Sequence, residues 1–309
     1  MGNLEIEKKN AKKEFLFLAI AIIAYELVFQ LVVLGIDFIE MSLLLFGFRD
    51  IQWEQAAELV YNSGIALSAA SIIGFLMVGL ILQKMPSFQK KEKITIKTLM
   101  IFYILMQGLQ LLGNYILLPM ALIAENMGYN FEEAVDMASS SSVLFSAFIY
   151  SVIIAPVAEE ILCRGIVMQY LEKYGKSFAV LITAMLFGLL HQNIVQFPIT
   201  MMIGILFGYL AQRYSLTAAI ILHVLNNLSV EITGWLGEKF DIIWMLDTIF
   251  LFFCAFASMF IVWKKRKTIS AFLKQKNEMP VFRWFFTTPL MMVVIIYFLV
   301  FTIKSATLI

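Results

Sequence analysis

The chain reads SVLFSAFIYSVIIAPVAEEILCRGIVM from residue 142 to residue 168. This run is longer than the roughly 20 mostly apolar residues that a membrane-spanning helix needs, yet it contains Glu159, Glu160 and Arg164. A charged side chain at the middle of a bilayer costs about 2.5–3.5 kcal/mol on insertion scales. Because residues that are so costly in lipid are usually paired or face a cavity, the run predicts a membrane helix that carries a buried polar site.

The rest of the chain has the same apolar character. Of its 309 residues, 61% are hydrophobic and 15% are charged, and the mean hydropathy is +0.87. A soluble globular protein is nearer to roughly 45–50% apolar and about 25% charged. These values exclude a disordered chain, a coiled coil, a nucleic-acid-binding protein and an ordinary soluble enzyme, and no run alternates like a strand of a transmembrane barrel.

The sequence therefore predicts an all-α, polytopic integral membrane helical bundle of about nine transmembrane helices, with eight as the alternative. We divide it into N-terminal transmembrane helices and loops (1–141), a core with the polar residues (142–235) and C-terminal transmembrane helices (236–309). The predicted spans are 15–36, 64–83, 98–123, 142–168, 177–194, 198–212, 215–235, 242–263 and 284–303.

Lysine and arginine positions predict the orientation. With the N-terminus in the cytoplasm, only Arg49, Lys239 and Lys304 of the 23 basic residues fall in outer loops, and Arg164 lies within a span. Since cytoplasmic loops are enriched in Lys and Arg, we expect a cytoplasmic N-terminus, an odd number of spans and the cell membrane as the location. The first 14 residues are charged, and we expect no signal peptide.

Two segments keep alternative interpretations. The basic segment 264–283 is more consistent with a topogenic loop than with a helix bound to an anionic membrane surface. The segment 37–63 mixes apolar and charged residues, which fits either an interfacial amphipathic helix or a loop. The cysteines, Cys163 and Cys254, both lie in apolar runs and are expected to be small buried residues rather than a disulfide framework.

Within the core, the acidic pair has unequal partners. Glu160 and Arg164 are four residues apart, so they share a helix face and can form an ion pair. Glu159 points about 100° away from Glu160, and its own helix face offers no cation. Pro156, which has no N–H to donate, is expected to bend the helix just before the pair.

Both histidines of the chain lie within predicted spans. His191 follows Phe187 by one turn, and Asn227 follows His223 by one turn, on the next span but one. A single intramembrane His or Asn often only joins two helices, and such a structural role is also open for Glu26, which is alone in its span. Together, however, Glu159, His191, His223 and Asn227 can converge in one polar cavity.

Such a cavity supports peptide hydrolysis. A carboxylate and an imidazole beside one water form a general-base pair, and a second imidazole and an amide can donate hydrogen bonds to the oxyanion. Glu159, His191 and His223 also form a common catalytic zinc set, and the sequence does not separate these two mechanisms. Other protease designs fit less well: there is no His-Glu-x-x-His motif, no Gly-x-Ser-Gly site and no intramembrane aspartate pair, and Cys163 has no histidine near it in sequence.

Three motifs on separate spans, Glu159-Glu160-x-x-x-Arg164, Phe187-x-x-x-His191 and His223-x-x-x-Asn227, resemble those of the CAAX protease and bacteriocin-processing (CPBP, or Abi) family of intramembrane proteases, whose eukaryotic relatives are the type II CAAX prenyl endopeptidases. The resemblance covers roughly 142–235. It implies that Glu159 and His191 activate water and that His223 and Asn227 form the oxyanion site. It also implies that Glu160 and Arg164 order the site, which opens to the cytoplasm in the prenyl-processing relatives.

We therefore expect a metallo- or glutamate-type intramembrane endopeptidase in a lipid bilayer, acting on a peptide or membrane-anchored protein substrate, with Zn²⁺ as the only candidate cofactor. The sequence does not give the oligomeric state or the substrate. Two alternatives remain open. One is a non-catalytic immunity or scaffold protein with the same motifs, and the other is a proton-coupled transporter that uses these groups as a relay.

Overall fold

The structure of the protein is a computed structural model, and it describes residues 2–48, 50–89, 91–139, 142–273 and 279–308. Four basic residues used in the charge bias, Arg49, Lys90, Lys274 and Lys276, lie outside the described residues. The described part of the chain is almost entirely helical. Its α-helices are α1 (Gly2–Gly47), α2 (Trp53–Tyr61), α3 (Ile65–Leu82), α4 (Ile96–Asn126), α5 (Glu132–Ser139), α6 (Phe145–Ile149), α7 (Ala155–Glu160), α8 (Met168–Leu171), α9 (Lys176–Leu190), α10 (Gln196–Arg213), α11 (Leu216–Gly237), α12 (Ile242–Leu273), α13 (Met279–Phe286) and α14 (Pro289–Lys304).

Short elements complete the fold. The strands β1 (Tyr129–Asn130) and β2 (Thr307–Leu308) pair antiparallel, so the segment after α4 meets the segment after α14. The helices α6, α7 and α8 are joined without a break by π-helical turns at Tyr150–Ile154 and Ile161–Val167, and a 3₁₀ turn follows at Glu172–Tyr174. We call this continuous segment, Phe145–Tyr174, the central span.

The prediction of nine transmembrane helices, or eight, is not confirmed. Within the described residues, six helices are long and apolar enough to cross a membrane, and a seventh span forms if α13 and α14, bent by 69°, count as one. The predicted spans at 177–194 and 198–212 correspond to α9 and α10, which do not qualify. With 15 residues, α9 is about 22 Å long, shorter than the roughly 30 Å hydrocarbon core. The polar ends of α10 lower its mean hydropathy.

The turn between α9 and α10 nevertheless reaches segments that the charge bias places outside. Asn193 Nδ2 donates to the Ala134 carbonyl at 2.8 Å, and the Ile194 N–H donates to Ser305 Oγ at 2.9 Å. These contacts define one end of the molecule. The opposite end, which we call the basic end, is joined by Lys12 to the Thr287 carbonyl and by an ion pair between Lys173 and Glu14.

The segment 37–63, for which a helix and a loop were both open, is mostly helical. Residues up to Gly47 continue α1, and α2 follows after a short break. Ala56 and Val60 of α2 are buried, whereas Trp53 and Tyr61 are exposed. This short amphipathic helix rests on α1 with its apolar side inward.

An aromatic cluster fixes the start of α9. Phe15, Phe178 and Phe285 are fully buried, and the ring centroid of Phe15 lies 6.0 Å from that of Phe178 and 5.3 Å from that of Phe285. Tilted and edge-to-face pairs of this kind add about 0.5–1.5 kcal/mol each beyond area burial. The cluster joins α1, α9 and α13 at the basic end, from which α9 runs to His191 at its C-terminus.

Small residues bring α9 and α10 close together. A Cβ on Gly204 would lie 3.1 Å from the Cα of Ala184, and one on Gly208 would lie 3.0 Å from Val180 Cγ1. Close backbone approach at small residues is the typical packing of membrane helices. It seats α10 against α9 and exposes the Gly204 carbonyl to the central span.

A π-helical turn directly precedes Pro156, where we expected a bend. Ala155 donates its N–H to the Tyr150 carbonyl, five residues earlier. A proline ring clashes with the carbonyl four residues before it in an α-helix, and the wider π turn relieves that clash. Since π turns in α-helices are frequent at functional sites, the two that flank α7 direct attention to Glu159 and Glu160.

Candidate active site

The predicted ion pair lies at the centre of the bundle. Arg164 Nη1 is 2.8 Å from Glu160 Oε1, and both side chains are fully buried. Arg164 Nη2 also donates to the Gly204 carbonyl at 3.1 Å, and the guanidinium lies 4.4 Å from the centre of the Phe187 ring. The pair thus links the central span, α9 and α10, and its charges offset each other away from solvent.

His223 joins this pair from α11. Its Nδ1 lies 3.0 Å from Glu160 Oε1, so the carboxylate accepts from both His223 and Arg164. Its Nε2 lies 3.7 Å from Glu159 Oε2, beyond direct hydrogen-bond distance. Phe207 stacks on the imidazole at 4.7 Å. His223 therefore lies between the two glutamates, with its orientation set by Glu160.

His191 caps the C-terminus of α9. Its Nδ1 lies 2.8 Å from the Phe187 carbonyl, and the two rings meet edge to face at 4.9 Å. A carbonyl can only accept, so Nδ1 carries the proton. In the neutral imidazole this leaves the Nε2 lone pair free to accept a proton, which is the arrangement that a general base requires.

Glu159 and His191 face the same cavity, which has a volume of about 230 Å³. One water occupies about 30 Å³ of liquid, so the cavity has room for a reacting group together with water. It lies between α1, α3, the central span and the end of α9. Its lining residues are Tyr25, Glu26, Phe29, Gln30, Ser71, Tyr150, Ala158, Glu159, Leu162, Cys163, Phe187, Leu190, His191 and Gln192.

The predicted convergence of four polar residues occurs in part. His223 and Asn227 are absent from the cavity wall, although His223 lies directly behind Glu159. Asn227 Nδ2 donates to the Ser151 carbonyl at 2.8 Å, and its Oδ1 accepts from Asn226 at 3.1 Å. Asn227 thus contacts the first π turn of the central span. The second N–H of its side-chain amide takes no part in these two bonds.

A hydrogen-bond network continues from Asn227 along α11. The Glu231 carboxylate accepts from the Ser142 hydroxyl and from the Ser151 hydroxyl, each at 2.6 Å, and from the Ser142 N–H at 3.0 Å. Gln110 of α4 donates to Asn226 at 2.6 Å. The network attaches the beginning of the central span to α11 and α4, and so fixes the position of the π turn that precedes Glu159.

The donors proposed for zinc do not form a set of three. Glu159 and His191 share the cavity, but His223 directs Nδ1 to Glu160. In the part of the chain that the structure describes, no three His, Cys, Asp or Glu side chains come together in a way that could hold a metal ion. The arrangement does not fit a three-ligand zinc site, and we derive no step through a metal.

Sequence reasoning did not assign Glu26 and Gln192 to the site. Glu26 Oε1 accepts from Gln192 Nε2 at 3.1 Å, across 166 positions of the chain. Gln192 has a left-handed backbone with φ of 48° directly after His191. The available signals were weak: Glu26 is the only charged residue in the predicted span 15–36, and Gln192 is the neighbour of a motif histidine.

Comparison with protein families gives one match. Residues 141–229 match the family model described as "Rce1-like: Type II CAAX prenyl endopeptidase Rce1-like". No curated protein is significantly similar to the chain, and no solved structure is either. The matched segment contains the whole central span, the hairpin of α9 and α10, and the part of α11 with His223 and Asn227. The resemblance to the CAAX protease and bacteriocin-processing family is therefore confirmed for the segment that holds all three motifs.

Proposed function

We propose that the protein is an intramembrane endopeptidase that hydrolyses a peptide bond of a peptide or membrane-anchored substrate, with Glu159 and His191 activating the water. The observation that carries this proposal is the shared cavity, because it places a carboxylate and an imidazole beside a space large enough for water and a peptide group. The family match to endopeptidases supports the reaction class.

In this mechanism, a water in the cavity donates a proton to Glu159 while His191 Nε2 accepts its other hydrogen bond. The oxygen of the water attacks the peptide carbonyl, and Glu159 then returns the proton to the leaving nitrogen. We assign the oxyanion donors to His223 Nε2 and the second N–H of Asn227. Neither residue lines the cavity, and Asn227, which now contacts Ser151, must turn toward the cavity when substrate binds.

In this role Nδ1 of His223 stays on Glu160 Oε1, 3.0 Å away, and Nε2 is the atom nearer to Glu159. An imidazole donates from both nitrogens only in its protonated form, so the mechanism requires that form while the oxyanion is bound.

The test is cleavage of a library of fluorogenic peptides, some prenylated, by the purified full chain in detergent. We expect Glu159→Gln to lower kcat by about 10²–10⁴-fold and His191→Ala to lower it similarly, with both variants folded. Glu58→Gln, a change at an exposed glutamate of α2, is the matched control and should leave kcat unchanged. Equal cleavage by wild type and Glu159→Gln would refute the site.

Four further measurements separate the alternatives. Cys163 lies on the wall of the same cavity as His191, so a cysteine nucleophile is tested with Cys163→Ala, which should keep its activity under our mechanism. Loss of activity with phenanthroline that is reversed by zinc would support the metal mechanism instead. A scaffold would tolerate Glu159→Gln in cells, and a transporter would show proton-coupled flux.

A further inference from the structure

A second carboxylate, that of Glu26, lies on the wall of the candidate active-site cavity. Glu26 belongs to α1 and lies outside the segment 141–229 that matches the family. It accepts from Gln192 Nε2 at 3.1 Å and from Gln30 Nε2 at 3.4 Å, and it also interacts with the Tyr297 hydroxyl of α14. These donors are neutral, so they leave the negative charge of Glu26 uncompensated.

The surroundings of Glu26 differ from those of two glutamates that form ion pairs. Glu160 has Arg164, and Glu14 has Lys173. The cavity wall, by contrast, contains Glu26 and Glu159 but no lysine or arginine, and within the described residues Glu26 forms no ion pair. In a low-dielectric interior, such a cavity attracts a cation and repels an anion more strongly than a surface would.

The position of Glu26 relates this charge to the reaction. Gln192, which bonds to Glu26, is the residue directly after His191. A substrate group that contacts Glu26 would therefore lie close to the peptide bond that His191 and Glu159 would hydrolyse. Three aromatic residues line the same space: Tyr25, Phe29 and Tyr150. Their rings can pack against the methylene groups of a long side chain, and the face of a ring can bind the cation at the end of that side chain.

We propose that Glu26 is a specificity-determining residue, which binds the cationic side chain of a substrate lysine or arginine next to the scissile peptide bond. This inference rests on the proposed peptidase function. It predicts that substrates with a glutamate or aspartate at that position are rejected, because they would add an unpaired negative charge to a cavity that already holds two carboxylates.

The test uses fluorogenic peptides that carry an acyl chain and differ only in Lys, Gln or Glu on either side of the scissile bond. For wild type we expect kcat/KM to be at least tenfold higher with Lys than with Gln, and lowest with Glu. Glu26→Gln should raise KM for the Lys peptide at least tenfold relative to KM for the Gln peptide, and so remove the preference for Lys. Glu26→Lys should favour the Glu peptide.

The matched control is Glu40→Gln, the same change on the same helix, where the carboxylate accepts from Ser63 instead. It should keep the wild-type preference. Equal cleavage of the three peptides by wild type would overturn the inference, as would an equal loss on all three in Glu26→Gln, since a structural role has that effect.

A binding measurement keeps this inference separate from the proposed function. The inactive Glu159→Gln variant should bind the Lys peptide more tightly than the Glu peptide by fluorescence anisotropy, and Glu26→Gln/Glu159→Gln should not. If wild type cleaves no peptide yet this difference appears, the specificity site stands and the peptidase proposal fails. If cleavage depends on Glu159 but neither assay shows charge preference, only the specificity site fails.

Discussion

At the scale of single residues, the buried pair of Glu160 and Arg164 is the most sensitive feature of the site. Both side chains are fully buried, and one carboxylate oxygen accepts from Arg164 and from His223. Removing one partner of a buried pair leaves an uncompensated charge, which typically costs about 3–5 kcal/mol. A surface ion pair is worth only about 0–1 kcal/mol.

We therefore expect Arg164→Leu to lower the free energy of unfolding in mixed micelles by about 3–5 kcal/mol. Glu160→Gln/Arg164→Leu removes both charges and should recover at least half of that loss. The comparison is Arg213→Leu, because Arg213 forms its pair with Glu92 in an exposed position at 3.1 Å. A similar loss in Arg213→Leu and Arg164→Leu would contradict the assigned role of burial.

The sequence predicted this pair, since a spacing of four residues determines which side chains share a helix face. It could not predict that Glu160 also meets His223, 63 positions away, or that Gln192 reaches Glu26. Those contacts depend on how helices pack, and a local pattern holds no information on that. The predicted roles of Glu159, His191, His223 and Asn227 in catalysis stay predictions, because geometry shows placement and not turnover.

At the scale of elements, we attribute the π turn before Glu159 to Pro156, which directly follows it. An alanine at position 156 would supply an N–H that can bond to the Val152 carbonyl, four residues earlier, and so favour an α turn. Since each residue added to or removed from a helix turns its side chains by about 100°, the change would misplace Glu159 relative to Ser151 and Asn227.

We expect Pro156→Ala to lower kcat at least tenfold while the melting temperature stays equal or rises. Pro119→Ala is the matched control, because Pro119 also lies inside a helix, α4, but away from the cavity. It should stabilise the protein, since proline in a helix interior costs about 3 kcal/mol, and keep full activity. Normal turnover by Pro156→Ala would show that the π turn does not position the base.

The contact between α9 and α10 gives a second prediction at this scale. A Cβ on Gly204 would lie 3.1 Å from both Ala184 Cα and Arg164 Nη2, so the helices or the guanidinium must move. We expect Gly204→Ala to destabilise the protein by about 1–3 kcal/mol and to reduce activity. Gly35→Ala on α1 meets no atom within 4 Å and should instead stabilise by about 1 kcal/mol.

Hydropathy located α3 and α11 closely. The predicted spans 64–83 and 215–235 correspond to Ile65–Leu82 and Leu216–Gly237. The spans predicted at α9 and α10 are not confirmed as crossings, because a short helix buried among other helices needs the same apolar residues as one that crosses a bilayer. Phe178, Val180 and Phe207 are fully buried, so their apolar character reflects packing against protein.

At the scale of the whole molecule, hydrogen bonds divide the loops into two sets. The basic end joins Lys12, Glu14, Lys173 and Arg213 to neighbouring segments, and the other end joins β1 to β2. Each of α9 and α10 has one end at the basic end and its other end at the opposite end. The sides on which the chain termini lie are therefore the same whether this hairpin counts as two crossing helices or is left out of the count. If α13 and α14 count as one span, the described residues hold seven spans, which is compatible with the predicted odd number.

We predict that the basic end lies in the cytoplasm, because Lys and Arg are retained there. Cysteines placed at exposed loop positions can test this with a membrane-impermeant thiol reagent, since Cys163 and Cys254 are free but buried and should give little background. Glu133→Cys should be labelled in intact cells, and Lys93→Cys only after the membrane is permeabilised. The reverse pattern would invert the topology, and with it the side from which substrate approaches the cavity.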